Sequence, residues 1–269
     1  MKVGIFYNAQ QVEFAVAKKL ANLLQEKEAQ PMLFTSLEEI SGIDRLIVLG
    51  GDGTLLRAAR YASDAGIPLV GVNFGRLGFL TEFEREEAEQ AVSLVLDDTC
   101  ETLHRSMLEV NLNGMRTQCL NELSMLRPIN EAGDIKVVRI SIAIDGSSAG
   151  EIAADGLIVT TPTGSTAYSL SAGGCIMTPD CESFLLTPVC AFSMRSRPIA
   201  CSDRSTISFT VEKDASLMLF GDGIFLGSVG ADDSLTVRKS ERFATFLTRD
   251  KRGFFRRVTT KINKGKRLC

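Results

Sequence analysis

The sequence is poor in histidine, the residue on which Ser-His-Asp and Cys-His hydrolases depend. It contains a single histidine, His104, and no tryptophan. A Ser-His-Asp or Cys-His site depends on a histidine with catalytic partners, and the neighbours Leu103, Arg105 and Ser106 offer no obvious one. These observations argue against a hydrolase of either kind. A lone histidine without surrounding ligands is typical of a structural residue, and we predict that role for His104.

Cysteines are present, but they lack the spacing of a disulfide framework or a zinc site. Their number is odd and no Cys-x-x-Cys occurs, so we predict free thiols, as in a reducing cytosol. Residues 1–8 form a strand-like run without the layout of a signal peptide. Together these features predict a cytoplasmic protein. The cysteines are Cys100, Cys119, Cys175, Cys181, Cys190, Cys201 and Cys269.

The chain also lacks long apolar runs and any surplus of basic residues. No stretch approaches the ~18 apolar residues that span a bilayer, so we expect no membrane association. The formal net charge is −3, whereas general nucleic-acid binders usually carry a basic surplus. Hydrophobic residues make up 45% of the 269 positions, which is enough for one large core or two moderate ones. These observations argue against an integral membrane protein and against a general nucleic-acid binder.

The first hundred residues alternate between strand and helix patterns. Three apolar runs predict strands and three segments of helical spacing predict helices; in chain order, strands and helices alternating, they are 3–7, 12–24, 45–49, 55–65, 68–72 and 84–96. This order implies a parallel sheet flanked by helices. Ligands bind such sheets at the carboxyl ends of the strands.

From about residue 103 the pattern changes to strands separated by turns. The predicted strands are 108–112, 118–126, 137–145, 151–161, 205–211, 216–220, 224–229 and 234–238. The fold class predicted is an α/β N-terminal lobe with a parallel sheet plus a β-rich C-terminal lobe. The predicted domains are residues 1–100, residues 101–250 and a C-terminal segment, 251–269.

That C-terminal segment is basic and contains no acidic residue. A solvated tail is one interpretation, because runs of charge usually face solvent. The other is that Phe254 and Phe255 anchor the segment on the first lobe, so that its basic residues approach bound phosphates.

The first candidate site is a glycine-rich turn, Gly50–Thr54, between a predicted strand and a predicted helix. Glycines let the backbone approach phosphate, and a helix N-terminus attracts it. Asp52 would repel phosphate, so its carboxylate fits better as the acceptor of a hydroxyl proton or as the ligand of a bridging metal. An Asp-Gly turn capped by Thr54 is the structural alternative. The chain has no Gly-x-x-x-x-Gly-Lys-Ser/Thr loop and is no P-loop kinase.

The second candidate site is the hydroxyl-rich segment 161–174, which reads Thr-Pro-Thr-Gly-Ser-Thr-Ala-Tyr-Ser-Leu-Ser-Ala-Gly-Gly. Its hydroxyls and free amides suit a ligand with many polar edges, such as a nucleotide. Pro162 and Gly164 shape a turn, and a helix is predicted from about Ser165 to the glycine pair. A helix start capped by hydroxyls is the structural alternative.

With these segments the chain closely resembles the NAD kinases, which phosphorylate NAD to NADP. The resemblance runs from residue 1 to about 260, and the segment 161–174 is its specific part, since lipid kinases and phosphofructokinases look similar at Gly-Gly-Asp-Gly-Thr. The residues that carry it are Gly50–Thr54, Asn73-x-Gly75-x-Leu77-Gly78-Phe79-Leu80, Asn121-Glu122, Asp155-Gly156 through Gly174, Arg197-Pro198 and Asp203-Arg204-Ser205.

The resemblance implies a site between the two lobes that uses ATP and NAD. There, Asp52 takes the proton from the 2′-hydroxyl of the adenosine ribose, which attacks the γ-phosphate of ATP. Mg²⁺ or another divalent cation would accompany ATP, and no residue is assigned as a metal ligand. The family likeness also implies a homo-oligomer, a dimer or a tetramer.

The resemblance further implies which residues contact the nucleotides. Asn121 and Glu122 would contact the adenosine part, Asp155 the nicotinamide end, and residues 166–171 would line the adenine and ribose pocket. Gly53 and Phe79 would border the phosphates and the base, and Lys136 stands about where the family places a polar contact. Phe79 could instead be core, and Asn121-Glu122 a surface turn. The predicted binding residues are Asp52, Gly53, Phe79, Asn121, Glu122, Lys136, Asp155, Thr166, Ala167, Tyr168, Ser169, Leu170 and Ser171.

Three positions depart from the family pattern. Ala153 stands where many relatives carry Arg, Phe192 replaces the His of a Pro-His-Ser/Thr pattern, and Ile224 replaces the Gln of Asp-Gly-Gln. These changes put a phosphate contact and an amide contact in doubt, but none of them touches Asp52. The predicted function is therefore an ATP-dependent NAD kinase. A lipid or sugar kinase of the same superfamily and a non-catalytic NAD(P) sensor are the alternatives.

Overall fold

The computed structural model describes residues 1–75, 78–128 and 137–265. The chain forms two compact units: the first combines residues 1–105 with the chain from Arg242 onward, and the second is Ser106–Glu241. The units change at residues 105 and 241, and the domain limits of 100 and 250 from the sequence stay a prediction. Each unit has its own hydrophobic core.

The first unit begins as alternating strands and helices. Its elements, some of which continue into the second unit, are β1 Lys2–Tyr7, α1 Phe14–Glu26, β2 Gln30–Phe34, β3 Arg45–Gly50, α2 Asp52–Ala65, β4 Leu69–Asn73, β5 Phe83–Glu84, a 3₁₀ turn Arg85–Glu87, α3 Ala88–Leu96, β6 Glu101–Leu112, β17 Leu235–Thr248 and α5 Phe254–Gly265. Strands β6 and β17 carry the chain from one unit to the other.

The sheet of the first unit is built from parallel strands in the order β2-β1-β3-β4. Strand β3 is buried at five consecutive positions after Arg45, as expected where helices cover both faces of a parallel sheet. Helix α1 turns Ala17, Leu20 and Leu24 inward, which is the three-and-four spacing of a buried helical face. The carboxyl end of β3 is thereby fixed where the glycine-rich turn begins.

The second unit is almost entirely β. Its elements between β6 and β17 are β7 Met115–Cys119, β8 Glu122–Leu126, β9 Val138–Ile144, β10 Ser147–Ala154, β11 Gly156–Thr160, a 3₁₀ turn Thr163–Thr166, α4 Tyr168–Ser171, β12 Ser183–Val189, β13 Ile199–Ser202, β14 Ile207–Val211, β15 Ser216–Gly221 and β16 Ile224–Gly230.

Two antiparallel sheets enclose the core of the second unit. One runs β10-β9-β14-β17, and the other runs β13-β12-β11-β8-β15-β16. Strand β9 alternates buried and exposed positions, which is the pattern of a sheet with one face on the core and the other in solvent. The predicted fold class, a parallel α/β lobe plus a β-rich lobe, is confirmed.

Several predicted elements differ from the structure. The strand predicted at 118–126 is two strands, interrupted at Leu120 and Asn121, and the strand predicted at 151–161 is interrupted at Asp155. The helix predicted at 84–96 starts only at Ala88. Strands β2, β12 and β13 were not predicted. The basic C-terminal segment forms helix α5 over Phe254–Gly265, and the two interpretations of this segment, solvated or anchored on the first lobe, both stay predictions.

Other expectations concern single residues. The six cysteines of the described chain are all free thiols. His104 is exposed, with its ring against Phe243 and Nδ1 3.2 Å from Thr245 Oγ1. Within residues 1–75, 78–128 and 137–265, none of the helices is long and apolar enough to cross a membrane.

Candidate functional site

The glycine-rich turn joins β3 directly to helix α2. Gly51 is the N-cap residue in extended conformation, and Asp52 is the first helical residue. Gly50 has no room for a side chain, because an added Cβ would lie 2.6 Å from Thr54 Cβ. The N-cap residue is a glycine and makes no side-chain cap, and Thr54, which the structural alternative named as the cap, lies buried inside the helix. Thr54 N and Leu55 N donate to Gly51 O at 3.0 and 3.1 Å, so within the described residues the N–H of Gly53 stays available to another acceptor.

The Asp52 carboxylate is oriented by two backbone amides of a neighbouring loop. Its Oδ2 accepts a hydrogen bond from Phe79 N at 2.6 Å, and its Oδ1 accepts one from Leu80 N at 3.1 Å. Amide donors stabilise negative charge on a carboxylate. Both oxygens of Asp52 are thereby held in a defined orientation at the start of α2.

The loop that holds Asp52 is itself tightly fitted. A Cβ added at Gly78 would lie 2.2 Å from Thr81 Oγ1 and 3.2 Å from Asp52 Oδ1. Asn73, at the end of β4, is buried; its Oδ1 accepts from Gly75 N and its Nδ2 donates to Glu84, both at 2.9 Å. The position of the Asp52 carboxylate therefore depends on several buried contacts.

In the second unit, the break after β7 and the first residue of β8 present two buried polar side chains. Asn121 is 6% exposed and Glu122 is 8% exposed. Within the described residues, Asn121 Oδ1 and Glu122 Oε2 have no hydrogen-bond partner. Buried polar atoms are rarely left unsatisfied in native proteins. A ligand that completes these two atoms would remove this cost, which makes the pair a candidate binding site.

The backbone of residues 120–122 is, by contrast, fully engaged. Asp222 accepts hydrogen bonds from the N–H groups of Leu120, Asn121 and Glu122 at 2.7, 2.8 and 3.2 Å. Asp222 reaches them from the tight turn between β15 and β16, where its φ is +49° and that of Gly223 is +79°. Such a turn favours Asp-Gly. The two side chains are consequently fixed by their own main chain.

The carboxyl group of Glu122 lies in an environment that disfavours its charge. Burial, and then the neighbouring Asp222 carboxylate, raise the pKa of Glu122 to about 8. Both causes act in the same direction, because removal from water and a like charge each penalise the ionised form. At neutral pH the free protein therefore holds Glu122 mostly as the uncharged acid.

The hydroxyl-rich segment splits into an inner and an outer set of side chains. The inner hydroxyls are buried and hold the segment in place: Thr161 Oγ1 donates to Leu120 O at 2.6 Å, and Ser165 Oγ donates to Pro162 O at 2.7 Å. Gly164 packs against Asn121, since an added Cβ would lie 2.3 Å from its carbonyl oxygen. The hydroxyl-rich segment and the Asn121-Glu122 pair are thus held together by direct packing and hydrogen bonds.

The outer set starts after the 3₁₀ turn. Tyr168 and Ser171 are exposed, whereas Thr166, Ala167 and Leu170 are half-buried. Ser169 points inward, with its hydroxyl 2.8 Å from that of Thr187 and no exposed surface. In place of the continuous helix predicted from Ser165, the structure has a 3₁₀ turn and the short helix α4. That prediction is wrong, because Ala167 leaves helical geometry, with φ −103° and ψ −129°.

Asp155 lies at the break between β10 and β11. Its Oδ1 accepts from Arg127 Nε at 2.7 Å, and its backbone N–H donates to Val189 O. The following Gly156 is packed against β8, where an added Cβ would lie 2.2 Å from Met125 O. Asp155 is therefore fixed, and its carboxylate keeps a second oxygen for a ligand.

The remaining predicted residues stand as follows. Lys136 lies outside the described residues, as does Leu77 of the family pattern. Gly53 is exposed in the first turn of α2, with no atom within 4 Å of an added Cβ, and Phe79 is half-buried. The ligand-binding roles of all these residues stay predictions.

The three departures from the family pattern lie on the surface of the second unit. Ala153 and Phe192 line one open groove, and Phe192 is 83% exposed. Arg139 is the direct cross-strand partner of Ala153 and lines the same groove, so a cation is present beside Ala153. Ile224 is exposed at the start of β16.

Sequence reasoning missed the residues that hold the site. From the sequence, Asp222 was recognised only as a turn residue and as the first residue of the Asp-Gly-Gln pattern in which Ile224 replaces Gln, and Asn73 only as part of a motif. The Asp-Gly dipeptide marks the turn, but no local pattern reveals that its carboxylate reaches backbone amides a hundred positions away. Within the described residues there is no group of three or more His, Cys, Asp or Glu that could hold a metal ion.

Comparison with known proteins identifies the family. The N-terminal domain model of ATP-NAD kinases matches residues 5–100, and the C-terminal domain model matches residues 121–248. Together these matches cover most of the chain. The chain belongs to the ATP-NAD kinase family.

Full-length relatives and solved structures agree with this assignment. The chain is 36% identical to the NAD kinase of Methanothermobacter thermautotrophicus and 32% identical to that of Aquifex aeolicus, covering 98% of this chain and 97% and 99% of those proteins. An NAD kinase from Archaeoglobus fulgidus, solved in complex with ATP, superimposes with a TM-score of 0.81 at 29% identity, over 98% of this chain and 99% of that one. Yeast NADH kinase, at 24% identity and a TM-score of 0.83, shares the fold over 98% of this chain and 87% of its own.

Proposed function

We propose that Asp52 is the general base of an ATP-dependent NAD kinase reaction. The observation that carries this assignment is the Asp52 carboxylate at the start of α2, oriented by the amides of Phe79 and Leu80. In the reaction, the 2′-hydroxyl of the adenosine ribose of NAD gives its proton to Asp52 while its oxygen bonds to the γ-phosphorus of ATP. The bond from that phosphorus to the bridging oxygen breaks, and ADP leaves with the bond's electron pair.

The first unit also supplies the approach for phosphate. Gly53 is exposed in the first turn of α2 and has no neighbour within 4 Å of an added Cβ. Free N–H groups at a helix N-terminus bind phosphate oxygens, and the helix dipole favours their charge. Phosphoryl transfer depends mainly on positioning and charge stabilisation, and this turn provides both. Phe79 lies beside it as a border for phosphate or base.

The second unit supplies nucleotide recognition. Asn121 and Glu122 contact the adenosine part, for which their unpartnered buried oxygens are suited. The outer residues of the hydroxyl-rich segment, from Thr166 to Ser171, line the adenine and ribose pocket. Asp155, held by Arg127, binds the nicotinamide end. Lys136 adds a polar contact.

A divalent cation, Mg²⁺ in the first place, accompanies ATP in this proposal. Mg²⁺ is typically held by one or two carboxylates together with substrate phosphates rather than by a cage of protein ligands. The Asp52 carboxylate is a ligand of the kind that this requires, and its position at the N-terminus of α2 places it beside the proposed phosphate approach. When bound, the ion neutralises phosphate charge. We further propose a cytoplasmic homo-oligomer, a dimer or a tetramer, that acts on small molecules and binds neither nucleic acid nor membrane.

A single assay tests the function. Purified protein is incubated with NAD, ATP and Mg²⁺, and NADP is measured with an NADP-specific dehydrogenase. We expect NADP and ADP in equal amounts and none without ATP. Parallel reactions contain diacylglycerol or a sugar instead of NAD. Phosphate transfer to one of these acceptors, with none to NAD, would contradict the proposal, and so would NAD binding without any turnover.

A further inference from the structure

The side chain of Glu122 has no cation beside it in the part of the chain that the structure describes. Glu122, on β8, pairs with Thr160 of β11, and the following residue of β8, Leu123, pairs with Gly221 of β15. The segment 161–165, which packs on Asn121, contains only Thr, Pro, Gly and Ser. The charged group that faces Glu122 is Asp222, an acid. Every packed element is thus either neutral or of the same charge sign as an ionised Glu122.

The backbone amides that could have stabilised a charge on Glu122 are used elsewhere. The N–H groups of residues 120–122 all donate to Asp222. Asp222 is therefore the ionised member of the two acids, since three amide donors favour its carboxylate. Within the described residues, Glu122 Oε2 has no hydrogen-bond partner at all.

We propose that Glu122 binds the nucleotide as a neutral carboxylic acid that donates its proton in a hydrogen bond, with Asp222 as the positioning residue that keeps it neutral. A protonated carboxyl has one O–H donor, whereas Asn121 offers an acceptor through Oδ1. The adjacent pair therefore presents one donor and one acceptor. Its ligand must supply a nitrogen or oxygen acceptor to Glu122 and an N–H or O–H donor to Asn121, as the adenosine part of NAD can.

The pKa of about 8 agrees with this assignment and sets its pH range. If only the neutral acid binds, apparent affinity falls with the neutral fraction. That fraction is about one tenth at pH 9 and nearly complete at pH 6.5. The dissociation constant of NAD should accordingly rise about tenfold between these two pH values.

The test is calorimetric titration of the full-length protein with NAD at pH 6.5 and pH 9. The wild type should show the tenfold weakening, and Glu122→Gln, whose amide cannot ionise, should show a ratio near one. Glu151→Gln, an exposed glutamate paired with Arg139, is the matched control and should keep the wild-type ratio. A wild-type affinity that is constant or improves towards pH 9 would overturn the proposal.

Infrared spectroscopy gives a readout that is independent of binding. The difference spectrum between wild type and Glu122→Gln at pH 6.5 should contain the carbonyl band of a protonated carboxylic acid, and this band should be lost above pH 9. Its absence at pH 6.5 would contradict the proposal.

Asp222→Asn tests the positioning role. It removes the negative charge beside Glu122 and keeps one acceptor oxygen for the amides. The band should then disappear at a lower pH than in the wild type, whereas a purely structural role would leave that pH unchanged. A thermal melt checks that the variant folds.

The inference rests on the proposed function only for the identity of the ligand. NADP formation by the wild type at pH 7.5, measured on the same preparation, separates a failure of the kinase proposal from a failure of the Glu122 inference. Its absence would count against the kinase proposal, while the infrared result would still decide the state of Glu122.

Discussion

Two acidic side chains, Asp52 in the first unit and Glu122 in the second, are treated in opposite ways by their surroundings. Asp52 stands at the start of helix α2 and receives two amide hydrogen bonds. Glu122 stands at the start of a strand, and the amides next to it are all bound to Asp222. The two carboxyl groups are chemically alike, but only Asp52 is provided with donors that support a negative charge.

The difference teaches that backbone amides decide the role of each acid. A carboxylate that must accept a proton needs to be ionised before the reaction, and the Phe79 and Leu80 amides favour that state. A carboxyl group that must donate a hydrogen bond needs to stay neutral, and burial without donors favours that state. In our two proposals, one chain therefore uses the same functional group as a base at Asp52 and as a hydrogen-bond donor at Glu122.

The largest expected effect is at Asp52. Asp52→Asn should lower kcat for NADP formation by about 10²–10⁴-fold, because removal of a general base commonly costs that much. NAD affinity should change by less than about threefold. Asp64→Asn, an exposed acid of the same helix α2 that pairs with Arg242, is the matched control. A kcat within tenfold of the wild type would rule out Asp52 as the base.

Substitutions at two glycines near Asp52 test two separate proposals: that the loop around Gly78 positions the base, and that phosphate approaches at Gly53. Gly78→Ala brings a Cβ to 2.2 Å from Thr81 Oγ1, so the loop that holds Asp52 must shift. We expect the unfolding free energy to fall by about 1–3 kcal/mol and kcat to fall as well. Gly53→Ala meets open space and should stabilise α2 by up to about 1 kcal/mol. Its KM for ATP should nevertheless rise, because the added Cβ would occupy the space through which we propose that phosphate approaches.

Urea denaturation and initial rates measure both variants of this glycine pair. An unchanged KM for ATP in Gly53→Ala would remove this residue from the phosphate site. An unchanged unfolding free energy in Gly78→Ala would show that the loop around Asp52 can rearrange freely.

The stability of the protein should also depend on Glu122. Because its pKa is raised from an ordinary 4.5 to about 8, the folded state binds more protons than the unfolded state between these values. The stability that this extra proton binding contributes is fully present below about pH 4.5 and is lost as the pH rises through 8. Between pH 6 and 9 the wild type should lose about 1–3 kcal/mol of unfolding free energy relative to Glu122→Gln. If the unfolding free energies of the wild type and of Glu122→Gln changed in parallel with pH, an uncharged Glu122 would be contradicted.

The smallest effects expected distinguish the two faces of the hydroxyl-rich segment. Ser169→Ala leaves the buried Thr187 hydroxyl without its 2.8 Å partner and should cost about 1–3 kcal/mol of unfolding free energy. Tyr168→Ala, on the exposed side, should change stability by less than about 0.5 kcal/mol. Its KM for NAD should rise about fivefold or more, since aromatic contacts to a base are worth about 1–3 kcal/mol. Equal KM values would place Tyr168 outside the nucleotide pocket.

The sequence predicted the first unit better than the second, for a physical reason. Strand β3 and helix α2 follow from local patterns of burial, and the structure places them within a few residues of the predicted bounds. The second unit depends on contacts between distant residues. The break between β7 and β8 occurs where Asp222, a hundred positions later, takes the amides of residues 120–122. No pattern within residues 118–126 contains that information.

The candidate site shows the same limit. Asp52 could be singled out because a carboxylate in a glycine-rich turn is chemically unusual. The Asn121-Glu122 pair was reached only through family resemblance, since nothing in its neighbouring sequence predicts burial without partners. Asn73 and Asp222 act through the backbone of other residues, so their roles became visible only with coordinates.

The chain enters the second unit within β6 and returns to the first within β17, so the second unit is an insertion into the first. On the ribosome, residues 106–241 are synthesised completely before the first unit receives its last strand, where Phe246 pairs with Leu69, and helix α5. Since domains fold as units during synthesis, the inserted unit can mature first. The first unit is then completed only when translation is almost finished, and a message truncated shortly after residue 241 would yield a complete second unit attached to an incomplete first one.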